Sequence, residues 1–266
     1  MAFLDHAPDL EEIRRLLDER RPQRVGIVGQ PPRAVIGELN GRAIEILDLD
    51  AILVREDMEA TVAVLPRVYC AILRTVVLNA MHLDLDAIFI DTGPGKCDSA
   101  RYVATILEEL LPIPVLTTIN LDQEPCGNPF CRANLDLTEK FLAITEGVKC
   151  ARPVAANLDP CPPTAGFWGV PPRDFSILAP FPATTHVYGW TRCLENKTPA
   201  DLALEIQVNR TIPTVFFAQS FCAKTALARH LAHRHPHALY LDIDLHTTSS
   251  AKAKVQAFLE LSEVAP

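Results

Sequence analysis

The feature that most constrains the fold of this chain is the alternation of short apolar runs with helical patterns, which is clearest between residues 86 and 119. The apolar run Ala87–Ile90 has the length and character of a buried strand. It is followed by a turn at Gly93–Gly95, a helical pattern from Ser99 to Leu111 and a second apolar run from Pro114 to Ile119. A strand, a turn, a helix and a strand in this order form a βαβ unit, in which the two strands are parallel.

The same alternation occurs in other parts of the chain, so we predict an α/β protein with mainly parallel, Rossmann-like sheets built from βαβ units. The further helices that the patterns predict are Pro8–Arg20, Leu65–Leu83, Leu135–Thr145, Thr198–Val208, Ala223–His233 and Ser249–Leu261. The further strands are Arg24–Gly29, Pro213–Ala218 and Ala238–Ile243.

Two interpretations fit the segment between residues 33 and 47. Asn40-Gly41 between apolar runs is typical of a β-hairpin. A helix from Arg33 to Leu39 followed by a strand from Ala43 to Leu47 would instead complete a βαβ unit. We favour the second interpretation, because the strand Arg24–Gly29 otherwise lacks a crossover partner.

The middle of the chain differs in composition from the two ends. From Asn120 to about Lys197 the periodicity weakens, prolines are frequent, and five of the eight cysteines occur. We therefore predict an N-terminal α/β lobe over 1–120, an irregular Cys/Pro-rich insertion over 121–197 and a C-terminal α/β lobe over 198–266.

Charge and hydropathy argue against several classes of protein. A net charge of −8, without a block of Lys or Arg, argues against a nucleic-acid surface. No apolar run reaches the roughly 18 residues of a membrane span, and the first residues lack the pattern of a signal peptide. We expect a cytoplasmic protein, in which eight cysteines do not form a disulfide framework.

Cysteines at the ends of predicted strands indicate where chemistry occurs. Cys97 follows the strand Ala87–Ile90 and Cys222 follows the strand Pro213–Ala218, and each stands where a helix begins. Because a helix N-terminus stabilises negative charge, it favours the thiolate that a metal ligand or a nucleophile requires. The two positions therefore predict functional thiols.

Cys126 and Cys131 lie in a Gly/Pro loop shortly after the strand that ends at Ile119, so we expect them at the same sheet edge as Cys97. The four predicted metal ligands, suited to an iron–sulfur cluster or tetrahedral zinc, are Cys97, Cys126, Cys131 and Cys222. Further possible ligands are Cys150, Cys161 and Cys193. The chain has no CxxC pair, which disfavours a purely structural zinc site.

The residues before Cys97 predict an anion site. Gly-Pro-Gly-Lys resembles part of a P-loop, but Ile90 and Cys97 stand where that motif requires Gly and Ser or Thr. We reject a P-loop and keep anion binding by Gly95, Lys96 and the helix start. A dinucleotide site at Gly26–Gly29 is disfavoured because the GxGxxG spacing is absent.

Two residues are candidates for handling protons. Asp91 ends the strand before the glycine turn, and His186 lies near a predicted sheet-edge loop. His246 is a weaker candidate at the end of another strand. The histidines between residues 230 and 237 are expected to be solvated at a helix end.

The strand, turn, Cys-Asp and helix between Asp91 and Asp98 resemble the Rossmann-like cluster domains of nitrogenase components and of 2-hydroxyacyl-CoA dehydratase subunits. The resemblance is one of architecture and covers about residues 86–131 and 211–244. In those families, cysteines at strand ends hold an iron–sulfur cluster. The resemblance therefore implies a cluster here, most simply [4Fe–4S].

Together these observations predict an iron–sulfur protein that acts in redox chemistry or metallocofactor handling. Its partner would be a small-molecule substrate or a redox protein, and a homodimer is compatible with the sequence. One alternative is a cluster-free enzyme that binds a phosphorylated or CoA-type ligand and uses Cys97 as nucleophile. Another is a non-catalytic carrier of a metal or cofactor.

Overall fold

The computed structural model of the chain describes residues 7–93, 96–122, 129–151, 158–190, 192 and 205–262. They form two compact units. The first contains the described residues up to 122 together with 148–151, and the second contains 129–147 and the described residues from 158 onward. Each unit is built on one four-stranded, all-parallel sheet.

The first unit alternates helices and strands along the chain. Its elements are α1 (Leu10–Arg20), β1 (Arg24–Val28), α2 (Arg33–Gly41), β2 (Glu45–Asp48), α3 (Ala71–His82), β3 (Ala87–Asp91), α4 (Asp98–Leu110) and β4 (Val115–Thr118). The strand order across the sheet is β2-β1-β3-β4. The prediction of an α/β fold with parallel, Rossmann-like sheets is confirmed.

Helices cover both faces of this first sheet. Side chains of α1 and α2 pack with one set of strand residues, and those of α3 and α4 pack with the other set. Each of the five residues of β3 is consequently buried. This burial explains why β3 has a continuous apolar sequence and no alternation, as expected for a strand in a covered parallel sheet.

The segment after β1 forms a βαβ unit, and the hairpin alternative is wrong. Helix α2 ends at Gly41, and β2 pairs in parallel with β1. The predicted helix Leu65–Leu83 is shorter than expected, because α3 begins at Ala71. Pro66 disfavours the helical conformation of Leu65, but it does not explain why the residues from Arg67 to Cys70 are not helical.

The second unit contains more secondary structure than the sequence predicts. Its elements are α5 (Leu137–Gly147), β5 (Gly166–Trp168), β6 (His186–Tyr188), β7 (Thr214–Gln219), α6 (Lys224–Arg234), β8 (Ala238–Ile243) and α7 (Ser249–Leu261), with 3₁₀ helices at Pro129–Arg132 and Phe175–Leu178. The strand order is β6-β5-β7-β8. The predicted helix Thr198–Val208 falls mostly outside the described residues.

The boundaries of the two units differ from the three predicted segments. Strands β5 and β6 come from the segment 121–197, which we expected to be an irregular insertion, and β5 pairs directly with β7. The two strands have three residues each, which is too short for a hydrophobic period to be recognised. The described middle segment is therefore mostly part of the second unit.

The two sheets have the same topology. In each sheet, the first strand along the chain lies between the second and the third. The order in which strands are added therefore reverses beside the first strand. Such a switch point lies between β1 and β3 in the first unit and between β5 and β7 in the second. Ligands of open α/β sheets bind at the carboxyl ends of the strands that flank a switch point.

A buried lysine joins α5 to the segment before β6. Lys140 is fully buried, and its Nζ donates hydrogen bonds to the carbonyl oxygens of Ala183, at 2.8 Å, and Thr185. Burial disfavours the charged amine and lowers the pKa of Lys140 to about 8, although Cys161 and Asp136 oppose the shift.

Stability should therefore increase with pH in a window set by Lys140. Between about pH 8 and 10.5 the unfolded chain binds a proton that the folded lysine has released. We expect the free energy of unfolding of the wild type, minus that of Lys140→Met, to rise by up to about 3 kcal/mol across this window. Urea denaturation of both proteins at several pH values measures this difference, and a constant difference would contradict the prediction.

Gly189 after β6 should not tolerate a side chain. Its φ is +71°, and an added Cβ would lie 2.3 Å from a ring atom of the buried Trp168. We expect Gly189→Ala to reduce the free energy of unfolding by at least about 2 kcal/mol. Gly41→Ala is the control, because an added Cβ there meets nothing within 4 Å, and it should stay within about 1 kcal/mol of the wild type.

Candidate functional site

A buried ion pair lies at the carboxyl edge of the first sheet. Asp91, the last residue of β3, is only 2% exposed. Its Oδ1 accepts hydrogen bonds from the backbone N–H groups of Gly93 and Asn120, both at 3.2 Å. Its Oδ2 lies 3.1 Å from Lys96 Nζ and accepts no other hydrogen bond from a described residue. The structure therefore brings Asp91 and Lys96 together as an ion pair.

The charge state of Asp91 depends on this lysine. Burial raises the pKa of the Asp91 carboxyl, whereas the charge of Lys96 and the hydrogen bonds to Oδ1 oppose the shift. An ionised buried carboxylate without a partner is strongly unfavourable. Lys96 is thus the counter-ion that favours the ionised form of Asp91.

Cys97 lies beside this pair at the start of α4. It is the N-cap residue, it is exposed, and its thiol is free. The Cys97 side chain forms no capping hydrogen bond with the helix. The first N–H groups of α4 are consequently available to an anion, and the field of the helix stabilises negative charge at this position.

The helix that follows β1 offers no comparable position. The backbone N–H of Arg33, the first residue of α2, donates to the carboxylate of Asp122 at 2.8 Å. The N–H of Gly29 donates to Asp50 Oδ2 at 2.9 Å. Carboxylates of the chain itself occupy the place where the pyrophosphate of a dinucleotide would bind, in accordance with the missing GxGxxG spacing.

Thr118 adds an unexpected polar group to the site. It ends β4, is 2% exposed and is the partner of Asp91 in the parallel pairing of β3 and β4. Residues paired in this way place their side chains on the same face of a sheet. The Oγ1 of Thr118 forms no hydrogen bond with any described residue, which is uncommon for a buried hydroxyl.

The switch point of the second unit is covered by a different ion pair. Cys222 follows β7, and Lys224 begins α6. Lys224 Nζ lies 2.7 Å from Oε1 of the buried Glu205 and donates to the carbonyl oxygen of Gly189 at 3.0 Å. Because Gly189 follows β6, this side chain crosses the carboxyl end of β5, which lies between β6 and β7.

His186 stands at the opposite end of the second sheet. It is the first residue of β6, level with Thr214, the first residue of β7. Its Nε2 lies 2.8 Å from the carbonyl oxygen of Cys161 and 3.9 Å from the Cys161 Sγ, and burial lowers the pKa of the imidazole. With Nε2 bonded to this carbonyl, His186 is best explained as a residue that fixes the Cys161 segment to β6.

Cys131 and Cys222 are far apart within the second unit. Cys131 is buried and disulfide-bonded. The next residue, Arg132, accepts a hydrogen bond from the N–H of Cys161, which places Cys131 near the amino end of β6. Cys222 follows the carboxyl end of β7, whose six residues span about 17 Å.

Because Cys131 and Cys222 lie near opposite ends of the second sheet, they cannot bind the same metal or cluster. The predicted centre of four cysteines therefore does not fit the described residues as one site. No group of three His, Cys, Asp or Glu residues in the described ranges could hold a metal ion. Gly95, Cys126 and Cys193 lie outside these ranges. Cys150 is exposed, and Cys161 is half-buried.

Sequence reasoning did not identify Thr118, Asn120 or Asp122 as residues of the site. All three lie at or just beyond the end of β4, and Asn120 also donates its side-chain amide to the carbonyl oxygen of Gln30 at 2.9 Å. Their position at or just after a predicted strand could have indicated that they belong to the site, because the carboxyl ends of parallel strands share one edge of the sheet.

The described helices include none with the length and apolar character that a membrane span requires. Comparison of the chain with protein families and with curated proteins finds no match. The similarity to nitrogenase components and to 2-hydroxyacyl-CoA dehydratase subunits therefore stays a prediction.

Proposed function

We propose that this protein is an enzyme that binds a phosphorylated or CoA-type ligand at the carboxyl edge of the first sheet and uses Cys97 as nucleophile. The observation that carries the proposal is the free, exposed thiol of Cys97 at the uncapped N-terminus of α4, next to Lys96. The corresponding position at α2 is occupied by Asp122. The anion site is therefore assigned to α4.

Each group has a separate role in this proposal. The N–H groups of α4 and the ammonium of Lys96 bind the anionic part of the ligand. In the simplest reaction, the Cys97 thiolate forms a bond to the carbonyl carbon of a CoA thioester. The bond from that carbon to the CoA sulfur breaks, and CoA leaves as a thiolate that takes a proton from water.

Cysteine labelling tests the role of Cys97. We expect iodoacetamide to modify Cys97 about tenfold or more faster than Cys150, because Cys97, unlike Cys150, lies at a helix N-terminus. Cys150 is the matched control, since it is also an exposed cysteine in no disulfide. CoA should slow the labelling of Cys97 alone. Equal rates at the two thiols, measured by peptide mass spectrometry, would contradict the proposal.

An iron–sulfur protein is the second candidate, with a redox protein or a small molecule as its partner. The observation that favours it is the repeated topology: Cys97 follows β3 and Cys222 follows the corresponding strand β7, each shortly before a helix. Neither cysteine is in a disulfide. In this narrower form, Cys97 and Cys222 are the proposed thiolate ligands.

Anaerobic purification followed by iron, sulfide and zinc analysis tests the second candidate. We expect Cys97→Ser and Cys222→Ser each to lower the bound iron severalfold, because a thiolate ligand is lost. Cys70→Ser is the control, since Cys70 is likewise in no disulfide but, unlike Cys97 and Cys222, does not follow closely after a strand. Protein without iron or sulfide that also resists reconstitution would rule out this candidate.

We also propose the cytoplasm as the compartment of the protein. Of the six cysteines in the described residues, five are in no disulfide and one, Cys131, is disulfide-bonded. Thiols that stay reduced are typical of a reducing compartment. Both candidate functions require a free thiol at Cys97. The same compartment would supply CoA-type ligands and redox partners.

A further inference from the structure

We propose that binding of an oxyanion at Lys96 is coupled to the uptake of one proton by Asp91. The inference rests on the proposed anion site at the start of α4 and specifies how that site responds to its ligand. It follows from the use of one ammonium group, Lys96 Nζ, for two purposes: as counter-ion of a buried carboxylate and as contact for an anion.

In the structure, the charges of Lys96 and Asp91 form a close ion pair. Lys96 Nζ lies 3.1 Å from Asp91 Oδ2, and the side chain of Asp91 is completely buried, whereas that of Lys96 is 12% exposed. The lysine can therefore reach an incoming anion, but Asp91 cannot turn to water. An oxyanion that takes the lysine removes the counter-ion of the carboxylate.

Proton uptake resolves this competition. A buried carboxylate that loses its counter-ion becomes neutral, because the charged form is poorly solvated. The N–H groups of Gly93 and Asn120 would still bind Oδ1. The protonated Oδ2 would donate to the Oγ1 of Thr118, the buried hydroxyl that lacks a partner among the described residues and belongs to the residue paired with Asp91.

Among the described residues, no group packed around Asp91 other than Lys96 supplies a positive charge to it. From β1 the neighbour is Gly29, whose added Cβ would lie 3.4 Å from the Asp91 Cβ, and from the end of β4 the neighbours are Thr118 and Asn120. The carboxylate of Asp50, which follows β2, accepts the N–H of Gly29 and adds negative charge on that side. A proton is thus the simplest replacement for the lost cation.

Titration calorimetry with inorganic sulfate tests the coupling, because the charge of sulfate is constant between about pH 6 and 8.5. Binding heats are measured in buffers with different ionisation enthalpies. For the wild type we expect the uptake of about one proton on binding. The affinity for sulfate should therefore fall by up to tenfold for each unit by which the pH rises. For Asp91→Asn, which imitates the protonated acid, we expect no uptake and an affinity independent of pH.

Two further variants complete the design. Asp98→Asn removes the same charge from an exposed residue in the first turn of α4 and should retain the uptake. Thr118→Val removes the proposed acceptor and should reduce the uptake, which keeps the test informative if Asp91→Asn does not fold. Sulfate binding without proton uptake in the wild type would overturn the inference and leave the anion site intact. Absence of sulfate binding would overturn the proposed anion site itself.

Discussion

Parallel pairing of the strands is the constraint on which the rest of this structure depends. Parallel neighbours cannot be joined by tight turns, so long crossovers with helices connect them and cover both faces of each sheet. The carboxyl ends of all strands in a unit then share one edge, and helices begin at that edge. The polar residues that follow β1, β3 and β4 meet for this reason, although they are far apart in sequence.

Within this arrangement, electrostatics decides which helix start is available. Two helix N-termini adjoin the switch point of the first unit, and both would attract anions. The chain places Asp122 on α2 and leaves α4 without a side-chain cap. Lys96 next to α4 is held by a carboxylate that has no access to water. Lys96 can therefore bind an anion, but its release leaves the buried carboxylate of Asp91 without a counter-ion.

The thiols show how far spacing along the chain can mislead. The segment that contains Cys126 and Cys131 follows soon after β4, and we expected this loop at the same sheet edge as Cys97. Cys131 instead lies in the second unit, close to the beginning of β6, because its neighbour Arg132 binds the Cys161 backbone. Cys222, in contrast, follows the strand end predicted for it. A cysteine immediately after a strand is constrained by that strand, whereas one in a long loop is not.

The sequence by itself determined the α/β class, the order of most helices and strands, and the position of Asp91, Lys96 and Cys97 at one strand end, because these depend on local periodicity and on the geometry of a βαβ unit. It did not reveal β5 and β6, whose three residues are too few to show a period. Only the tertiary structure decided that His186 and Cys222 lie at opposite ends of the second sheet, that Asp122 occupies the start of α2 and that Thr118 adjoins Asp91. Each of these depends on pairing between distant segments, and no local pattern encodes such pairing.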